Sequence, residues 1–327
     1  DGIVSVGTDA RTGDKTGDDN EKMSFAGAGV YYLPILADTE IQNGLFVEYF
    51  KNNIVVASLD VDFNFQLGRS YVADFGVIEN ILKPEAHHEY YVTLSGAGTK
   101  NGSSWANAFG LTEFKNIITR YAPSEYDKQT ATEKENALRN AIFYIAGGTY
   151  NLGDVVDLGF SNHCTRFINF TFDGGYVSST GAKNVSGNPT IITGGDSHCV
   201  FKLSRFADLG VIDCNFEHSS GTTGGAAAVR LDSKYARLTL NGCNFSNNAN
   251  TATAGALSLG YGTATLTDCG FYDNTATYGA AISIDNGEDA AIYQTGAINI
   301  IGCTFDGNHA STSGAAIRLN SGGPVSV

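Results

Sequence analysis

The sequence predicts an all-β protein whose larger part is a parallel β-helix, a solenoid in which every coil contributes a few short strands. One observation is a segment that occurs four times, with a cysteine, a phenylalanine two residues later and then a Gly-Ala pair before aliphatic residues. Beyond Phe143, strand-like alternation of apolar and polar residues dominates. The third is the turn-forming composition, with 40 glycines and only 5 prolines.

The repeated cysteines mark one position of a solenoid period. Their steps of 29, 26 and 34 residues fall in the range of repeat architectures. They are Cys214, Cys243, Cys269 and Cys303. Since equivalent inward residues of successive coils lie above one another, we expect a ladder of buried thiols. Bridges between neighbouring coils are the alternative, because adjacent strands are only about 4.8 Å apart.

Other repeat positions predict further ladders. Residues two apart on a strand share a face, so the phenylalanines should stack beside the cysteines. These are Phe216, Phe245, Phe271 and Phe305. Two aliphatic ladders should follow the Gly-Ala corner, namely Val229, Leu257, Ile282 and Ile317, and Leu231, Leu259, Ile284 and Leu319. The tight corner itself has no room for a large side chain.

A polar ladder is predicted three residues after each phenylalanine. Its members are Ser219, Asn248, Asn274 and Asn308. Asparagine tolerates a left-handed backbone, and its amide can bond the coils above and below. We therefore expect these residues to form a corner of each coil.

The N-terminal quarter has a different pattern. Residues 1–22 are rich in Asp, Gly, Thr and Lys and predict a flexible lead. Strand-like runs between 23 and 80, the last over 71–78, predict a small antiparallel β-domain that is sandwich-like. Asn52-Asn53 is one of its turn signals. Residues 81–90 are expected to be a linker, and the β-helix to occupy 91–327, with clean repeats from about 205.

A helical cap is predicted at the N-terminal end of the solenoid. Leu111, Phe114, Ile117, Ile118 and Tyr121 share one helical face. A second helix is indicated by the capping-box pair Thr132 and Glu135, before Leu138 and Ile142. Such a cap would cover the core and strand edges of the first coil.

The less regular sequence after the cap also shows the repeat pattern. In the segment FINFTFDGG, Phe170 and Phe172 match the step from cysteine to phenylalanine. We therefore expect these two residues at the equivalent position of an earlier coil.

Charge and hydropathy exclude several classes of partner. The net charge of −14 argues against nucleic acid, since a phosphate backbone selects for clustered Lys and Arg. No run approaches the roughly 18 apolar residues that a transmembrane helix needs. We expect a soluble chain whose solvated surface is exposed to cations or neutral sugars.

The repeat resembles that of polymorphic outer-membrane proteins, through its Phe-x-x-Asn step and its Gly-Ala-aliphatic corner. That resemblance implies a right-handed parallel β-helix of a bacterial surface or autotransported protein. The entry YVTLSGAGTKNGSSWANAF is similar to the leader of secreted, pectate-lyase-like β-helix proteins of Gram-negative anaerobes. The two resemblances cover about 90–327, although Ser219 departs from the asparagine pattern. FQLGRSYVADFGV resembles the last strands of a fimbrillin-like or immunoglobulin-like surface domain.

The candidate site is the outward stripe between the two aliphatic ladders. This stripe comprises Arg230, Ser258, Ser283 and Arg318, followed by Asp232, Gly260, Asp285 and Asn320. A groove with Arg230, Asp232, Asp285 and Arg318 would suit a glycan, and in an enzyme these residues would be catalytic. The alternative is a solvated outer face that carries ordinary charges.

An insertion over 285–297 provides further candidate ligand-binding residues. It carries Asp285, Glu288, Asp289 and Tyr293, and insertions in solenoids project from one face. The alternative is a tolerated loop without a ligand. No cofactor and no metal are expected, since the histidines lack metal-ligand spacing. The alternative is a Ca²⁺ site, which a lyase would usually hold through carboxylates.

Together with the resemblances, which imply a location at the bacterial outer membrane, these features predict a secreted or cell-surface protein. It would act in adhesion or in glycan or surface binding, with a glycan or a host or neighbouring cell surface as partner. The alternative is a polysaccharide lyase or glycoside hydrolase that uses carboxylates on the β-helix face. No nucleophile or phosphate-binding motif supports other chemistry.

Overall fold

The computed structural model describes two sets of residues. For 3–7, 20–22, 24–27, 30–32, 45–51 and 54–61 it describes the backbone only. It describes 88–119, 140–158, 168–195, 199–204, 207–221, 228–233, 236–260, 262–284, 297–320 and 325–326 in more detail. The chain divides into two compact units, and the boundary near the N-terminus lies between Pro84 and Glu85.

The N-terminal unit contains antiparallel strands. Its four-stranded sheet has the order Asn20–Lys22, Ile3–Gly7, Leu45–Lys51 and Ile54–Val61. A separate hairpin pairs Ser24–Gly27 with Val30–Tyr32. Lys51 pairs with Ile54, and the turn predicted at Asn52-Asn53 between them lies outside the described residues. The strand predicted over 71–78 lies outside the described residues.

The lead predicted over 1–22 needs correction. Ile3–Gly7 is an inner strand of the sheet, in which Val6 lies opposite both Glu21 and Val47. Composition alone indicated a lead because Asp, Gly and Thr surround this short run. Its pairing with a strand some forty residues later is a non-local interaction that local patterning does not contain.

Parallel strands in four stacked sheets form the second unit, a β-helix solenoid. Sheet 1 comprises His88–Val92, Asn140–Ala146, Ile168–Val177, Ala207–Ile212, Arg237–Asn241, Thr263–Thr267, Ile298–Ile301 and Val325–Ser326, with Ala182–Lys183 paired antiparallel to Ile168–Val177. Sheet 2 comprises Gly148–Asn151, Thr190–Thr193, Cys214–Glu217, Asn244–Ser246, Gly270–Tyr272 and Thr304–Asp306. The short sheet 3 comprises Ser220–Gly221, Ala249–Asn250, Thr275–Tyr278 and His309–Ser313. Sheet 4 comprises Val156–Leu158, Phe201–Leu203, Val229–Leu231, Leu257–Ser258, Ile282–Ile284 and Ile317–Leu319.

The strand register confirms the predicted phenylalanine and first aliphatic ladders. Phe245 lies between Phe216 and Phe271 in sheet 2, and Phe271 pairs in turn with Phe305. Consecutive rings are nearly parallel, with centroids 4.8, 5.0 and 5.0 Å apart. In sheet 4 the same in-register pairing runs from Val229 through the predicted aliphatic positions. The solenoid core is therefore built by each residue packing on its own equivalent.

The expected equivalence of Phe170 and Phe172 with the cysteine-phenylalanine step is wrong. Both residues are buried in sheet 1, where they pair with Leu209 and Val211. In that coil Thr190 and Ile192 pair with Cys214 and Phe216. A two-residue step is common to every inward strand, so spacing alone does not identify the sheet.

The cysteine ladder consists of free thiols. Five described cysteines, Cys199, Cys214, Cys243, Cys269 and Cys303, are free, so the described coils contain no bridge between them. Burial raises the pKa of the Cys214 and Cys243 thiols, and it raises the pKa of Cys199 to about 12.

This ladder predicts a pattern of thiol reactivity. The thiolate is the reactive species, and burial raises the pKa of Cys214, Cys243 and Cys303, but only Cys214 and Cys243 are also fully enclosed by the core. In iodoacetamide labelling followed by peptide mass spectrometry, we expect half-buried Cys303 to react before them in the folded protein. All three should label fully in urea. Rapid labelling of Cys243 without denaturant would contradict a closed core.

The asparagine ladder is present and its amides connect the coils. The Asn274 Oδ1 atom accepts hydrogen bonds from Asn248 N at 3.1 Å and Asn248 Nδ2 at 3.0 Å. Its Nδ2 atom donates to Phe245 O and to Asn308 Oδ1, both at 2.9 Å. In the first repeat, Ser219 Oγ instead accepts from Gly194 N at 3.2 Å. This ladder satisfies buried backbone groups at the corner.

The left-handed backbone expected at these asparagines lies one residue earlier. Positive φ angles of 49° to 63° occur at His218, Asn247, Asp273 and Gly307. At Gly307 a Cβ atom would collide with the carboxylate of Asp273 in the preceding coil. The corner therefore separates two tasks, since one residue takes the strained conformation and the next bonds between coils.

A helix covers the first coils, as predicted, over Leu111–Thr119. Phe114 and Ile118 are buried, and the Phe114 ring lies 5.2 Å from that of Phe143 and 5.4 Å from that of Phe172. Gly110 N donates to Glu113 Oε2 at 2.9 Å, which satisfies one amide near the start of the helix.

Two predicted boundaries near the cap are wrong. The second helix was expected to extend to Ile142, but Asn140–Ala146 is a strand, and 120–139 lie outside the described residues. This strand lies between His88–Val92 and Ile168–Val177, so pairing on both edges outweighs helix propensity. The strand from His88 also starts within the linker predicted over 81–90, so the solenoid begins earlier than residue 91.

Candidate functional site

The predicted stripe lies on the outward side of sheet 4. Its register continues through Arg230, Ser258, Ser283 and Arg318, as expected. The stripe extends in the other direction to Lys202 and Asp157, which the sequence analysis did not select. The same outward position between two buried residues, in VDL and FKL, was the available signal.

Ion pairs connect the charged end of the stripe. Lys202 Nζ lies 3.0 Å from Asp157 Oδ2 and 3.7 Å from Asp232 Oδ2, and Arg230 forms an ion pair with Asp232. Ser204 Oγ donates to Asp157 Oδ1 at 2.7 Å. Burial alone would lower the pKa of Arg230, but the hydrogen bond to Asp232 raises it. Two carboxylates therefore neutralise two cations.

The far end of the stripe is separate from this cluster. Arg230 and Arg318 are three strand spacings apart, about 14 Å at the backbone. The Arg318 guanidinium lies 4.5 Å from the centroid of the Tyr278 ring, in a cation–π contact. Between them, Ser283 is buried and its hydroxyl has no hydrogen-bond partner. Asp285, Glu288, Asp289 and Tyr293 lie outside the described residues.

The donors in the described part of the stripe do not fit a calcium site. Calcium takes six to eight oxygen ligands, with carboxylates prominent among them, whereas Asp157 and Asp232 are paired with Lys202 and Arg230. Across the part of the chain that the structure describes, His, Cys, Asp and Glu form no group of three or more suited to a metal ion.

A second candidate site is an aromatic cluster on the outward side of sheet 1, near the capped end. This aromatic platform comprises Tyr91, Trp105, Tyr144 and Tyr176, all half-buried. Tyr91 and Tyr144 are register partners on neighbouring strands. In the next strand the register shifts between Asp173 and Tyr176, and this shift brings the Tyr176 ring against the Tyr144 ring. Trp105 comes from the short 3-10 helix Trp105–Asn107.

The four rings form a closed circuit of contacts. Their centroids are 5.0 Å apart for Tyr91–Trp105, 5.7 Å for Trp105–Tyr176, 5.4 Å for Tyr176–Tyr144 and 5.5 Å for Tyr144–Tyr91. These edge-on and tilted arrangements are the favourable ones for aromatic pairs. The platform is consequently a preformed surface of packed rings.

Carboxylates and one ammonium surround the platform. Tyr144 Oη donates to Glu89 Oε1 at 3.1 Å, and Tyr176 Oη donates to Asp173 Oδ2 at 2.8 Å. Burial and these hydrogen bonds raise the pKa of both tyrosines. Lys183 Nζ lies 2.7 Å from Asp173, 2.5 Å from Asp213 and 5.6 Å from the centroid of the Tyr176 ring. Burial alone would lower the pKa of Lys183, but its two carboxylate partners raise it.

Sequence reasoning missed this platform because its residues are scattered over four separate segments. A turn after Val177 also brings Gly181 against the indole of Trp105 and places Lys183 over the Tyr176 ring. A tryptophan that is unique in the chain was the one available signal.

Comparison with protein-family models, with curated proteins and with solved structures found no match to this chain. Within the described residues, every helix is too short or too polar to span a membrane.

Proposed function

We propose that this solenoid is a glycan-binding module of a secreted or cell-surface protein that acts in adhesion. The observation that carries the proposal is the aromatic platform, with four half-buried rings, of which Tyr144 and Tyr176 donate their hydroxyl groups to carboxylates. Tyr and Trp combine a large apolar area with a polar tip, and they are the residues that binding surfaces favour. A pyranose ring presents the matching combination of an apolar face and a hydroxyl edge.

The charged stripe supports binding more than catalysis. A hydrolase needs a carboxylic acid and a carboxylate facing the same bond, and a lyase needs a base beside the reacting carbon. In the described part of the stripe, each carboxylate already faces a cation. We accordingly place the lyase or hydrolase activity second.

The kinship suggested by the repeat belongs to the same proposal. The Phe-x-x-Asn step is the basis for relating the chain to polymorphic outer-membrane proteins and to pectate-lyase-like β-helices. The stacked phenylalanines and the asparagine ladder give that step a structural reason, since both residues bond or pack between coils. An extracellular site at the bacterial outer membrane would agree with this kinship.

A glycan panel tests the proposal directly. We expect the purified chain to bind at least one immobilised polysaccharide in biolayer interferometry, and to release neither reducing ends nor unsaturated sugars from it. Release of either product would favour the enzymatic alternative. Absence of binding across neutral, acidic and amino-sugar polysaccharides would refute glycan recognition.

A further inference from the structure

We infer that the aromatic platform takes neutral hexopyranosyl polysaccharides and discriminates against polyanionic ones such as polyuronates and sulfated glycans. This inference rests on the proposed glycan-binding function and names the ligand class of its site.

The rings supply a rigid apolar surface. Trp105 contacts Tyr91 and Tyr176, and Tyr144 contacts both of these tyrosines, so every ring is braced by two others. A ring that is already fixed loses little conformational entropy when a ligand stacks on it. The platform therefore suits the flat C–H face of a pyranose.

The groups beside the rings supply hydrogen-bond acceptors. Carboxylate oxygens of Glu89 and Asp173 each accept one tyrosine hydroxyl, and an ionised carboxylate has about four acceptor sites. A sugar hydroxyl is a donor that these remaining sites can accept. The platform thus pairs apolar area with acceptors at its edge, as the two sides of a neutral sugar require.

Charge decides against an anionic ligand. Glu89 and Asp173 accept hydrogen bonds from the platform tyrosines, and Lys183 lies over the Tyr176 ring. Asp213 does not contact the rings but pairs with Lys183, so among these described groups three carboxylates stand against one ammonium. That ammonium is already engaged by Asp173 and Asp213, with side-chain exposures of 14% and 29%. A uronate or sulfate group would face net negative charge, and the repulsion would weaken as salt screens it. The negative net charge of the whole chain acts in the same direction.

The experiment compares neutral and anionic polymers on the same protein. Dextran, mannan and a mixed-linkage β-glucan serve as neutral probes, and polygalacturonate and dextran sulfate as anionic ones, at low and at near-physiological salt. We expect binding to a neutral probe, with an affinity that changes little with salt, and binding to the anionic probes at least about tenfold weaker.

Three variants locate the effect. Trp105→Ala should weaken neutral binding by about tenfold or more, because truncating a central aromatic removes the main contact. Trp105→Phe, which keeps an aromatic ring, guards against a simple folding defect. Tyr272→Ala is the matched control, since Tyr272 is a half-exposed tyrosine on the outward side of sheet 2, and it should bind like the parent chain.

A fourth variant tests the charge argument separately. Asp213 has a positive φ of 51°, which asparagine tolerates, so Asp213→Asn removes one charge with little change of shape. It should increase the affinity for polygalacturonate several-fold and leave the affinity for neutral probes within about twofold. The gain should shrink at higher salt, because salt screens the repulsion that the substitution relieves.

The outcomes separate the two levels of the argument. Polygalacturonate binding that matches neutral binding, and is lost in Trp105→Ala, would overturn the inference and leave glycan binding intact. Glycan binding that Trp105→Ala and Trp105→Phe leave unchanged would overturn the placement of the site. No binding to any probe would overturn the proposed function, and the inference with it.

Discussion

Replacing Asn274 with alanine should lower the free energy of unfolding by about 3–5 kcal/mol. The Asn274 amide makes four hydrogen bonds, two accepted from Asn248 and two donated to Phe245 O and Asn308 Oδ1. It is fully buried, so water cannot take the place of the lost partners. Urea unfolding followed by circular dichroism measures the change.

The matched control is Asn244→Ala. Asn244 lies in sheet 2 and, like Asn274, bonds across coils, donating to Asn215 Oδ1 at 3.1 Å, but it is half-exposed. Solvent can replace that bond, so we expect a loss below about 1 kcal/mol. Hydrogen exchange should also rise near residues 245–248 in Asn274→Ala, because each coil is stabilised by its neighbours. Equal losses in the two variants would disprove a special role of the buried ladder.

Phe245→Ala should be similarly severe, with a loss of about 3–5 kcal/mol in the free energy of unfolding. Phe245 is fully buried, and its ring stacks on Phe216 at 4.8 Å and on Phe271 at 5.0 Å. Truncation leaves a cavity and removes both ring contacts at once. Thermal and urea unfolding of the two proteins give the difference.

Phe245→Leu provides the comparison for this site. Leucine keeps most of the apolar volume but cannot continue the stack, so we expect a loss of about 1–2 kcal/mol. If alanine and leucine cost the same, stacking would be the decisive term and cavity formation a minor one. If alanine cost under about 1 kcal/mol, the coils would have to close around the gap.

The ladders were predictable because a solenoid makes long-range packing visible in local sequence. Phe245 packs on Phe216 and Phe271, so the same residue type is required at regular intervals. The register of the repeats from Cys214 onwards follows from this alone. Where coils differ, the signal fails, and Thr190 and Ile192 take the places of cysteine and phenylalanine without a recognisable motif.

The N-terminal errors share a different cause. Helix propensity near Ile142 and the polar composition around Val6 are local properties, whereas strand pairing with distant partners decides both segments. Propensity and composition predict a segment least well where the segment has neither a repeat nor a long periodic pattern.

For the candidate site, the sequence correctly aligned Arg230, Ser258, Ser283 and Arg318 on one stripe but did not reveal which charges meet. The ion pairs with Asp157 and Lys202 depend on earlier coils whose sequence is less regular. The stripe and the insertion at 285–297 stay predictions as ligand-binding surfaces.

By itself, the sequence determined the all-β class, the parallel β-helix, the cap and the buried ladders, because each of these depends on residues that recur or alternate. Only the tertiary structure decided where the outward aromatic rings meet. Tyr91, Trp105, Tyr144 and Tyr176 follow no common period. They become neighbours because stacked strands, a strand irregularity and a short helix bring four distant segments together. No single stretch of sequence encodes that arrangement.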